Sequence, residues 1–385
     1  MEQKVFKLKD FAQDVSIAVK DAQASPYDRF VGLEHYDSGE PVITRFTDTS
    51  LLSSSVKEFH TNDILIARRN VYLRRAGIAF FDGLTSGDSI VLRIYDDCNK
   101  RTGINKEDAI KIIPFILNSN HFWAYANKHA DGMNSKRISK EMLYNYEFTL
   151  PSIEDMKLLA DKLWSAYRLK ESYKKLLAAT EEMVKSQFIE MFGDPMVNDK
   201  QWPEYKNLSE VTQIVLGSTP NSKEPSFWDG DIRWITPAEM TDQSYIINDT
   251  KRHITEAGQR SANLTTLPEG SVLFSTRAPI GKVAIAGKEM CCNQGFKNFV
   301  CSDKLNNVYL FYTLKFKKDY LCSLGTGTTF KELSKRTVES LKIAVPPIEL
   351  QTRFENIYNQ ADKSGFELRK SIDAIDAVIK SLINN

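Results

Sequence analysis

A long-period internal repeat is the feature of this chain that most restricts its fold. The segment Gly132–Glu154 (GMNSKRISKEMLYNYEFTLPSIE) aligns without gaps with Gly327–Glu349 (GTTFKELSKRTVESLKIAVPPIE), and 7 of the 23 positions are identical at a constant offset of 195 residues. Self-similarity at a fixed period means that one structural unit occurs more than once. The chain is therefore predicted to be a tandem duplication, so any fold must contain two similar modules.

Weaker matches upstream keep the same order. NDILIARR (Asn62–Arg69) resembles GSVLFSTR (Gly270–Arg277), and TSGDSIVL (Thr85–Leu92) aligns with NQGFKNFV (Asn293–Val300), which places Gly87 opposite Gly295. Short runs of β-branched and aromatic residues bounded by Gly, Pro, Asn and Asp are typical of strands. Each module also has a predicted helical segment, near Lys106–Asn118 in the first and near Asn307–Tyr320 in the second. The pattern predicts α+β modules.

A segment with the apolar spacing of a long helix follows each module. In the last segment the seam skips one position at Ser364-Gly365, and its residues are Leu350, Phe354, Ile357, Ala361, Leu368, Ile372, Ile375, Ile379 and Leu382. The central segment has a rougher seam, Met156, Leu159, Leu163, Ala166, Tyr173, Leu177, Thr180, Val184 and Met191, which Lys170 and Gln187 interrupt and Leu169, Leu176, Met183 and Phe188 widen. Such spacing predicts a coiled coil. Pro151 and Pro346-Pro347 are placed to start the helices, and Gly193-Asp194-Pro195 is placed to end the first.

Two arrangements of these helices are open. Each helix could pack on its own module, or the two could pack on each other. Similar lengths and matching seams favour the second arrangement, with antiparallel helices and two modules at opposite ends of a rod, related by a pseudo-twofold axis. The predicted fold class is α+β, with a first module over residues 1–150, a central helical spacer over 151–195, a second module over 196–345 and a distal helical spacer over 346–385.

Composition excludes several classes of protein. The sequence has no run of 18 apolar residues, so no membrane span is expected, and MEQKVFKLKDF at the start lacks an apolar signal core, which predicts a cytoplasmic protein. The five cysteines lack framework spacing, and neither Cys nor His pairs fall at metal-ligand spacing, so no disulfide scaffold and no metal site are predicted. With a net charge of +1, any binding of a polyanion must use local basic patches.

One stretch carries a family resemblance. TPNSKEPSFWDGDIRWITPAEM, which starts at Thr219, resembles the opening of a target-recognition domain in specificity subunits of type I restriction–modification systems. RFVGLEHYDSGE from Arg29, NQGF from Asn293 and FIEMFGDP from Phe188 also resemble segments of that family. The resemblance covers nearly the whole chain and identifies both modules as target-recognition domains. The first departs from the pattern, because Arg29–Glu40 stands where the TPS–YW–GDI–W element is expected.

The resemblance implies a non-catalytic subunit. Such a subunit binds double-stranded DNA at a bipartite target, with one half-site for each domain, while its helices fix the gap. It docks two modification methyltransferase subunits, which use S-adenosylmethionine, and restriction/translocase subunits, which use ATP and Mg. This chain itself is expected to bind no cofactor, because it has no GxxxxGK[ST] loop and no acidic-Pro-Pro-aromatic motif.

Two other classes of protein stay open. One is a non-enzymatic scaffold, in which the coiled coil and the β-rich ends bind proteins. The other is a self-contained restriction–methylation enzyme, which the missing cofactor motifs disfavour. Co-purification of a methyltransferase would separate a specificity subunit from a scaffold.

Base readout requires Arg, Lys, Asn, Gln, Ser or Thr on loops that enter a groove. The ARRNVYLRR segment is the strongest basic cluster, although a solvated strand–loop surface would have the same composition. The residues around Gly132 and Gly327 form the repeated loop, for which the alternative is a loop that caps the following helix. The predicted DNA-binding residues are Arg68, Arg69, Asn70, Arg74, Arg75, Asn134, Lys136, Arg137, Ser218, Thr219, Lys223, Arg277, Lys282, Thr328 and Lys331.

The acidic stretch at the start of the second domain is predicted to be scaffold. Glu224, Asp229 and Asp231 would repel phosphate at close range, whereas Trp228 and Trp234 are predicted to anchor the loop to the domain core. Only its front edge, residues 218–223, is then left to contact DNA.

Overall fold

The computed structural model describes residues 4–20, 22, 25–49, 56–133, 135–202, 205–277, 279–327 and 331–384. The chain divides into two compact units. Unit 1 comprises Met1–Lys175 with Leu368–Asn385, and unit 2 comprises Leu176–Glu367. Each unit contains one copy of the repeat and parts of both long helices.

Unit 1 is built on two β-sheets. Its strands are β1 (Lys4–Lys7), β2 (Ala12–Asp14), β3 (Ile17–Val19), β4 (Arg29–Val31), β5 (Val42–Ile43), β6 (Thr47–Asp48), β7 (Val56–Phe59), β8 (Ile64–Ala67), β9 (Ala76–Ala79), β10 (Gly83–Ser86), β11 (Ser89–Ile94) and β12 (Glu147–Leu150). One sheet has the order β2-β11-β8-β9-β5 and the other β3-β7-β10-β4-β6, while β1 pairs with β12. In the first sheet only the β5–β9 pair is parallel. Strand β8 is buried along its whole length, as a central apolar strand must be.

Unit 2 repeats this plan. Its strands are β13 (Tyr205–Asn207), β14 (Thr212–Leu216), β15 (Trp228–Ile235), β16 (Ile246–Ile247), β17 (Arg252–Ile254), β18 (Val272–Thr276), β19 (Ile280–Ala286), β20 (Cys291–Cys292), β21 (Lys297–Cys301) and β22 (Lys342–Ala344). The main sheet has the order β14-β21-β18-β19-β16, a second sheet has the order β17-β15-β20, and β13 pairs with β22. The pair β16–β19 is parallel, like β5–β9. The two main sheets share strand order and directions, so the predicted duplication is confirmed.

Helices cover the main sheets and connect the modules. They are α1 (Leu8–Phe11), α2 (Cys98–Thr102), α3 (Lys106–Ile116), α4 (Asn120–Lys128), α5 (Lys140–Tyr144), α6 (Ile153–Phe192), α7 (Leu208–Val211), α8 (Glu256–Ser261), α9 (Asn307–Phe316), α10 (Lys318–Ser323), α11 (Lys335–Glu339) and α12 (Ile348–Asn384). The predicted helical segments correspond to α3 and α9, and an asparagine caps each of them. Asn105 accepts from the Asp108 amide, and Asn306 accepts from the amides of Val308 and Tyr309.

The long helices α6 and α12 are 40 and 37 residues long, and α12 begins directly after Pro347, whereas α6 begins two residues after Pro151. In unit 1, Met156 and Leu163 near the start of α6 share a core with Ile379 near the end of α12. In unit 2, Phe188 near the end of α6 shares a core with Phe354 near the start of α12. Opposite ends meet in both units, so the helices run antiparallel, as predicted.

The apolar face of α6 differs in part from the prediction. All predicted seam residues of α12 are buried or half-buried. In α6, however, Leu169, Leu176 and Met183 do not widen the buried face, because they are 46%, 52% and 46% exposed. Lys170 is instead buried. Successive helix residues point about 100° apart, so a helix that turns Lys170 inward turns Leu169 toward solvent.

Across the described ranges, the helices do not have the length and apolar character that crossing a bilayer requires.

Candidate nucleic-acid interface

In unit 1 a loop between α4 and α5 docks on the end of the central strand β8. The Asp131 amide donates to the Arg137 carbonyl at 3.0 Å, and the reverse bond is 2.8 Å long. Beyond this bridge, the Ile138 amide donates to the Arg68 carbonyl at 3.0 Å, and the Asn70 amide donates to the Lys136 carbonyl at 2.7 Å. These main-chain bonds fix the loop against the segment that follows β8.

Unit 2 contains the same arrangement. Thr326 and Glu332 form the equivalent bridge, with bonds of 3.1 and 2.9 Å, and the Leu333 amide donates to the Thr276 carbonyl at 3.0 Å. The glycines at the repeat position, Gly132 and Gly327, have φ of +117° and +124°. Glycine adopts this region at little cost, whereas side-chain-bearing residues rarely do. The identity of Gly132 and Gly327 in the repeat is therefore explained by the positive φ that both positions require.

Exposed cations surround the docked loop in unit 1. Arg69 Nε donates to Ser135 Oγ at 2.8 Å, and the Arg69 guanidinium lies 3.8 Å from Asp88 Oδ2. Arg137 lies 3.3 Å from the same oxygen. Both arginine side chains are nearly half exposed, and Lys136 is exposed beside them. Two arginines thus share one carboxylate, and the edge keeps excess positive charge.

At the equivalent edge of unit 2 the signs of the paired charges are reversed, because the loop supplies the carboxylate and the sheet supplies the cation. Glu332 occupies the repeat position of Arg137 and pairs with Lys297 at 3.1 Å. The Lys297 side chain is 8% exposed, and its Nζ also donates to Thr276 Oγ1 at 3.0 Å. Arg277 and Lys331 are exposed at this edge. An internal ion pair therefore holds the unit 2 loop, and other cations face outward.

The arginines of ARRNVYLRR divide between exposed and structural positions. Arg68 is half-buried, and its buried Nε has no hydrogen-bond partner among the residues that the structure describes. Asn70 and Arg74 both have left-handed backbones, with φ of 55° and 51°. Arg74 is exposed and donates to Asn120 Oδ1 at 2.8 Å. Only part of the cluster can therefore face a ligand.

Two predicted contact residues are held by main-chain carbonyls. Arg75 donates to the carbonyls of Leu33 and Arg69, both at 2.9 Å, and burial lowers the pKa of its guanidinium. Lys282 Nζ donates to the Pro237 carbonyl at 2.9 Å and to a second carbonyl nearby. Because both side chains are half-buried and bond to carbonyls inside the domain, both are weaker candidates for DNA contact than Arg69 or Arg137.

The tryptophan-rich stretch anchors a loop, as predicted. Trp228 and Trp234 are 7% and 3% exposed, with ring centroids 5.1 Å apart in edge-to-face geometry. Trp234 Nε1 donates to the Ser218 carbonyl at 3.0 Å, and Trp228 Nε1 donates to the Asn221 carbonyl at 3.2 Å. The Arg252 guanidinium stacks over Trp228 at 3.5 Å. The two indole rings thus hold both ends of the 218–221 segment.

The front edge of this segment is accessible. Thr219 and Lys223 are exposed, and the Thr219 hydroxyl donates to Gln294 Oε1. A Cβ on Gly217 would lie 1.8 Å from the Asn293 carbonyl oxygen, so only glycine permits this close approach. The NQGF segment is therefore the support of the loop.

Two predicted contact residues, Asn134 and Thr328, lie outside the described residues. Asp88 and Lys297, which pair with charged residues of the two loop edges, were not among the residues predicted from the sequence. A signal was present, because Arg137 and Glu332 occupy one repeat position with opposite charge. A reversal of charge at one repeat position indicates that each of the two residues faces a partner of opposite charge. Within the described ranges, no group of three or more His, Cys, Asp or Glu side chains is arranged to hold a metal ion.

Comparisons with known proteins agree with this architecture. Residues 200–374 match the family model of the type I restriction modification DNA specificity domain. The chain is 33% identical over 189 residues to the type I restriction enzyme MjaIX specificity subunit of Methanocaldococcus jannaschii, which covers 48% of this chain and 44% of that protein. It is 24% identical over 188 residues to the HindI specificity subunit of Haemophilus influenzae, covering 47% and 41%. The chain thus matches less than half the length of these curated relatives.

A solved structure supports the fold over the full length. The type I restriction–modification S subunit from M. genitalium superposes with a TM-score of 0.60 and 11% identity, covering 99% of this chain and 95% of that chain. A structure described as the basis of complex assembly and conformational transition of the type I R-M system gives a TM-score of 0.57 at 17% identity, covering 99% and 96%. At these identities the likeness concerns the fold alone.

The structure thus combines a duplicated α+β module, a docked loop with exposed cations in each copy, and two long antiparallel helices. Within that architecture, residues 200–374 match the type I restriction modification DNA specificity domain, and parts of the chain are similar to type I restriction enzyme specificity subunits.

Proposed function

We propose that this chain is the DNA-specificity subunit of a type I restriction–modification complex and binds a bipartite target, with one half-site for each recognition domain. The main support is the loop that docks on the central sheet in the same way in both units. Each loop edge presents exposed cations, which suit phosphate oxygens and guanine edges. The match of residues 200–374 to a DNA specificity domain supports the same function.

The remaining parts of the complex belong to this proposal. Two modification methyltransferase subunits and the restriction/translocase subunits dock on this chain, and they hold S-adenosylmethionine, ATP and Mg. Catalysis then lies on those partners, while this chain selects the site. Exposed apolar side chains along α6, such as Leu158 and Leu169 in unit 1, offer surface for protein contacts.

Mapping methylated adenines in host DNA, with and without this chain, tests the proposal. We expect a split motif with a fixed gap that disappears when the chain is deleted and returns when it is restored. Exchanging residues 196–345 for the corresponding domain of a relative should change one half of the motif only. If the set of methylated sites does not depend on the chain, the proposed function is wrong.

Replacing Arg69 or Arg137 by alanine should weaken DNA binding with a reduced dependence on salt. Surface ion pairs such as those with Asp88 contribute little, so phosphate can compete for the guanidinium groups. Loss of one phosphate contact should reduce the slope of log K against log salt concentration by about 1. The measurement is fluorescence anisotropy on a duplex that carries the mapped motif, at several salt concentrations.

Arg101→Ala is the matched control, because Arg101 is similarly exposed and pairs with Asp97 at 2.9 Å on α2. Its slope should match that of the unmodified chain. Asp88→Asn should have the opposite effect, with a steeper slope and tighter binding, since it releases two cations. Unchanged slopes for both Arg69→Ala and Arg137→Ala would remove this edge from the DNA interface.

A further inference from the structure

A buried cation lies where three elements of unit 1 meet. The Lys170 side chain on α6 is 4% exposed. Its Nζ lies 2.7 and 2.8 Å from the two carboxylate oxygens of Glu40 and 2.7 Å from Asp376 Oδ1 on α12. Glu40 belongs to the loop that precedes β5 in the main sheet. One ammonium group thus connects the recognition domain to both long helices.

This arrangement is poorly explained by stability alone. Burying an ion pair costs solvation energy, and well-packed apolar residues often serve as well or better. The α6 seam calls for an apolar residue at this position, as the surrounding heptads show. A buried lysine instead favours one relative placement of the groups that surround it. Its three donors are satisfied only when Glu40 and Asp376 converge on it, whereas apolar surfaces tolerate small sliding and rotation.

Glu40 is itself fixed to the sheet. The Gly39 amide donates to the Arg74 carbonyl at 2.9 Å, and the Ile78 amide on β9 donates to the Pro41 carbonyl at 2.9 Å. Both neighbours of Glu40 are therefore tied to the strand–loop segment that contains the basic cluster. Any rotation of the sheet on the helices would move Glu40 away from Lys170.

The equivalent loop of unit 2 also docks on a long helix, with neutral chemistry. Tyr245 precedes β16, which corresponds to β5 in the sheet order. Its hydroxyl donates to Asn359 Oδ1 on α12 at 2.6 Å, and its ring lies 4.8 Å from that of Tyr358. This loop therefore forms the joint between sheet and helix in both modules, and unit 1 makes the joint with charges.

We propose that Lys170, Glu40 and Asp376 form a positioning clamp that fixes the angle of the unit 1 sheets on α6 and α12. The clamp thereby restricts the gap, in base pairs, that the complex accepts between its half-sites. This inference rests on the proposed function. These residues act through the placement of the domain and do not contact DNA themselves.

The test compares methylation motifs made by the full chain, produced with its partner subunits, as the unmodified protein, Lys170→Met and Glu40→Gln. Loss of the clamp should reduce the preference for the correct gap over gaps one base pair longer or shorter by about tenfold. The bases read in each half-site should stay the same. Lys157→Met is the control, because Lys157 pairs with Asp108 of the same domain at 3.3 Å but is 49% exposed. Its gap preference should be unchanged.

The outcomes separate the clamp from the proposed function. A split motif whose gap preference is unchanged in both clamp variants overturns the clamp and leaves the function standing. Absence of a split motif in the unmodified protein overturns both. If Lys170→Met does not fold, Glu40→Gln decides alone, because it keeps the Lys170–Asp376 pair between the helices and removes the carboxylate charge that pairs with Lys170 and, at 3.2 Å, with Lys174 of α6.

Discussion

Replacement of Phe188 by alanine should lower the free energy of unfolding by about 3–5 kcal/mol, the usual range for a buried aromatic residue. Phe188 has no exposed surface and lies near the end of α6. Its ring centroid is 5.0 Å from those of Phe192 and Tyr312 and 5.1 Å from that of Phe354 on α12. Removing the ring leaves a cavity where α6, α9 and α12 meet. Urea denaturation followed by far-UV circular dichroism measures the loss.

Leu176→Ala is the control for this experiment, because Leu176 lies on the same helix but is 52% exposed. Its unfolding free energy should change by less than about 0.5 kcal/mol. A loss of unfolding free energy for Leu176→Ala as large as that for Phe188→Ala would contradict the placement of Leu176 on the exposed face of α6. Equal, small effects for both variants would contradict the packing of Phe188.

The helices and the duplication were predictable because they leave local or periodic signals. A seam such as Leu350, Phe354, Ile357 and Ala361 follows from helical geometry alone, whatever the helix packs against. The repeat at Gly132 and Gly327 was visible because a positive φ requires glycine in both copies. Each signal depends on one element of structure and its immediate neighbours, so a single sequence contains it.

What could not be predicted depends on contacts distant in sequence. Lys170 looks like an interruption of the seam until Glu40, 130 residues away, is seen beside it. The predicted pairing of Gly87 with Gly295 is one residue out, because the structure places Asp88 opposite Gly295. The Arg68 amide donates to the Asp88 carbonyl, and the equivalent Thr276 amide donates to the Gly295 carbonyl. Weak similarity fixes the order of strands but not their register, which tertiary pairing decides.

The residues of the candidate site were likewise only partly predictable from the sequence. Composition located the basic cluster, since Arg and Lys are needed near phosphate. It could not separate Arg69, which faces outward, from Arg75, which is half-buried and donates to the carbonyls of Leu33 and Arg69. Which way a side chain faces depends on the turn after β8, where two non-glycine residues adopt left-handed backbones. Sequence patterns do not specify such turns when Asn and Arg occupy them.

Replacement of Trp234 by alanine should lower the free energy of unfolding about as much as Phe188→Ala does, and it should also change DNA recognition in one half-site. The side chain is 3% exposed, contacts Trp228 edge to face and holds the Ser218 carbonyl through its indole N–H. Its loss should lower the unfolding free energy by about 3–5 kcal/mol, again the range for a large aromatic residue. The 218–223 segment should lose its fixed position. We expect faster proteolytic cleavage there and loss of base preference in one half of the methylation motif, while the other half is unchanged.

Trp234→Phe separates the hydrogen bond from the packing. It keeps most of the ring contact but leaves the Ser218 carbonyl without its donor, so a loss of only about 1–3 kcal/mol is expected. Leu216→Ala, at a 45% exposed position just before the segment, should change neither stability nor cleavage. If Trp234→Ala reduced base preference equally in both halves of the motif, the tryptophan would be needed for the folding of the whole chain and not for one recognition domain. Loss confined to one half instead requires that the anchored segment serve a single recognition domain, because a global loss of folding cannot erase one half-site and spare the other.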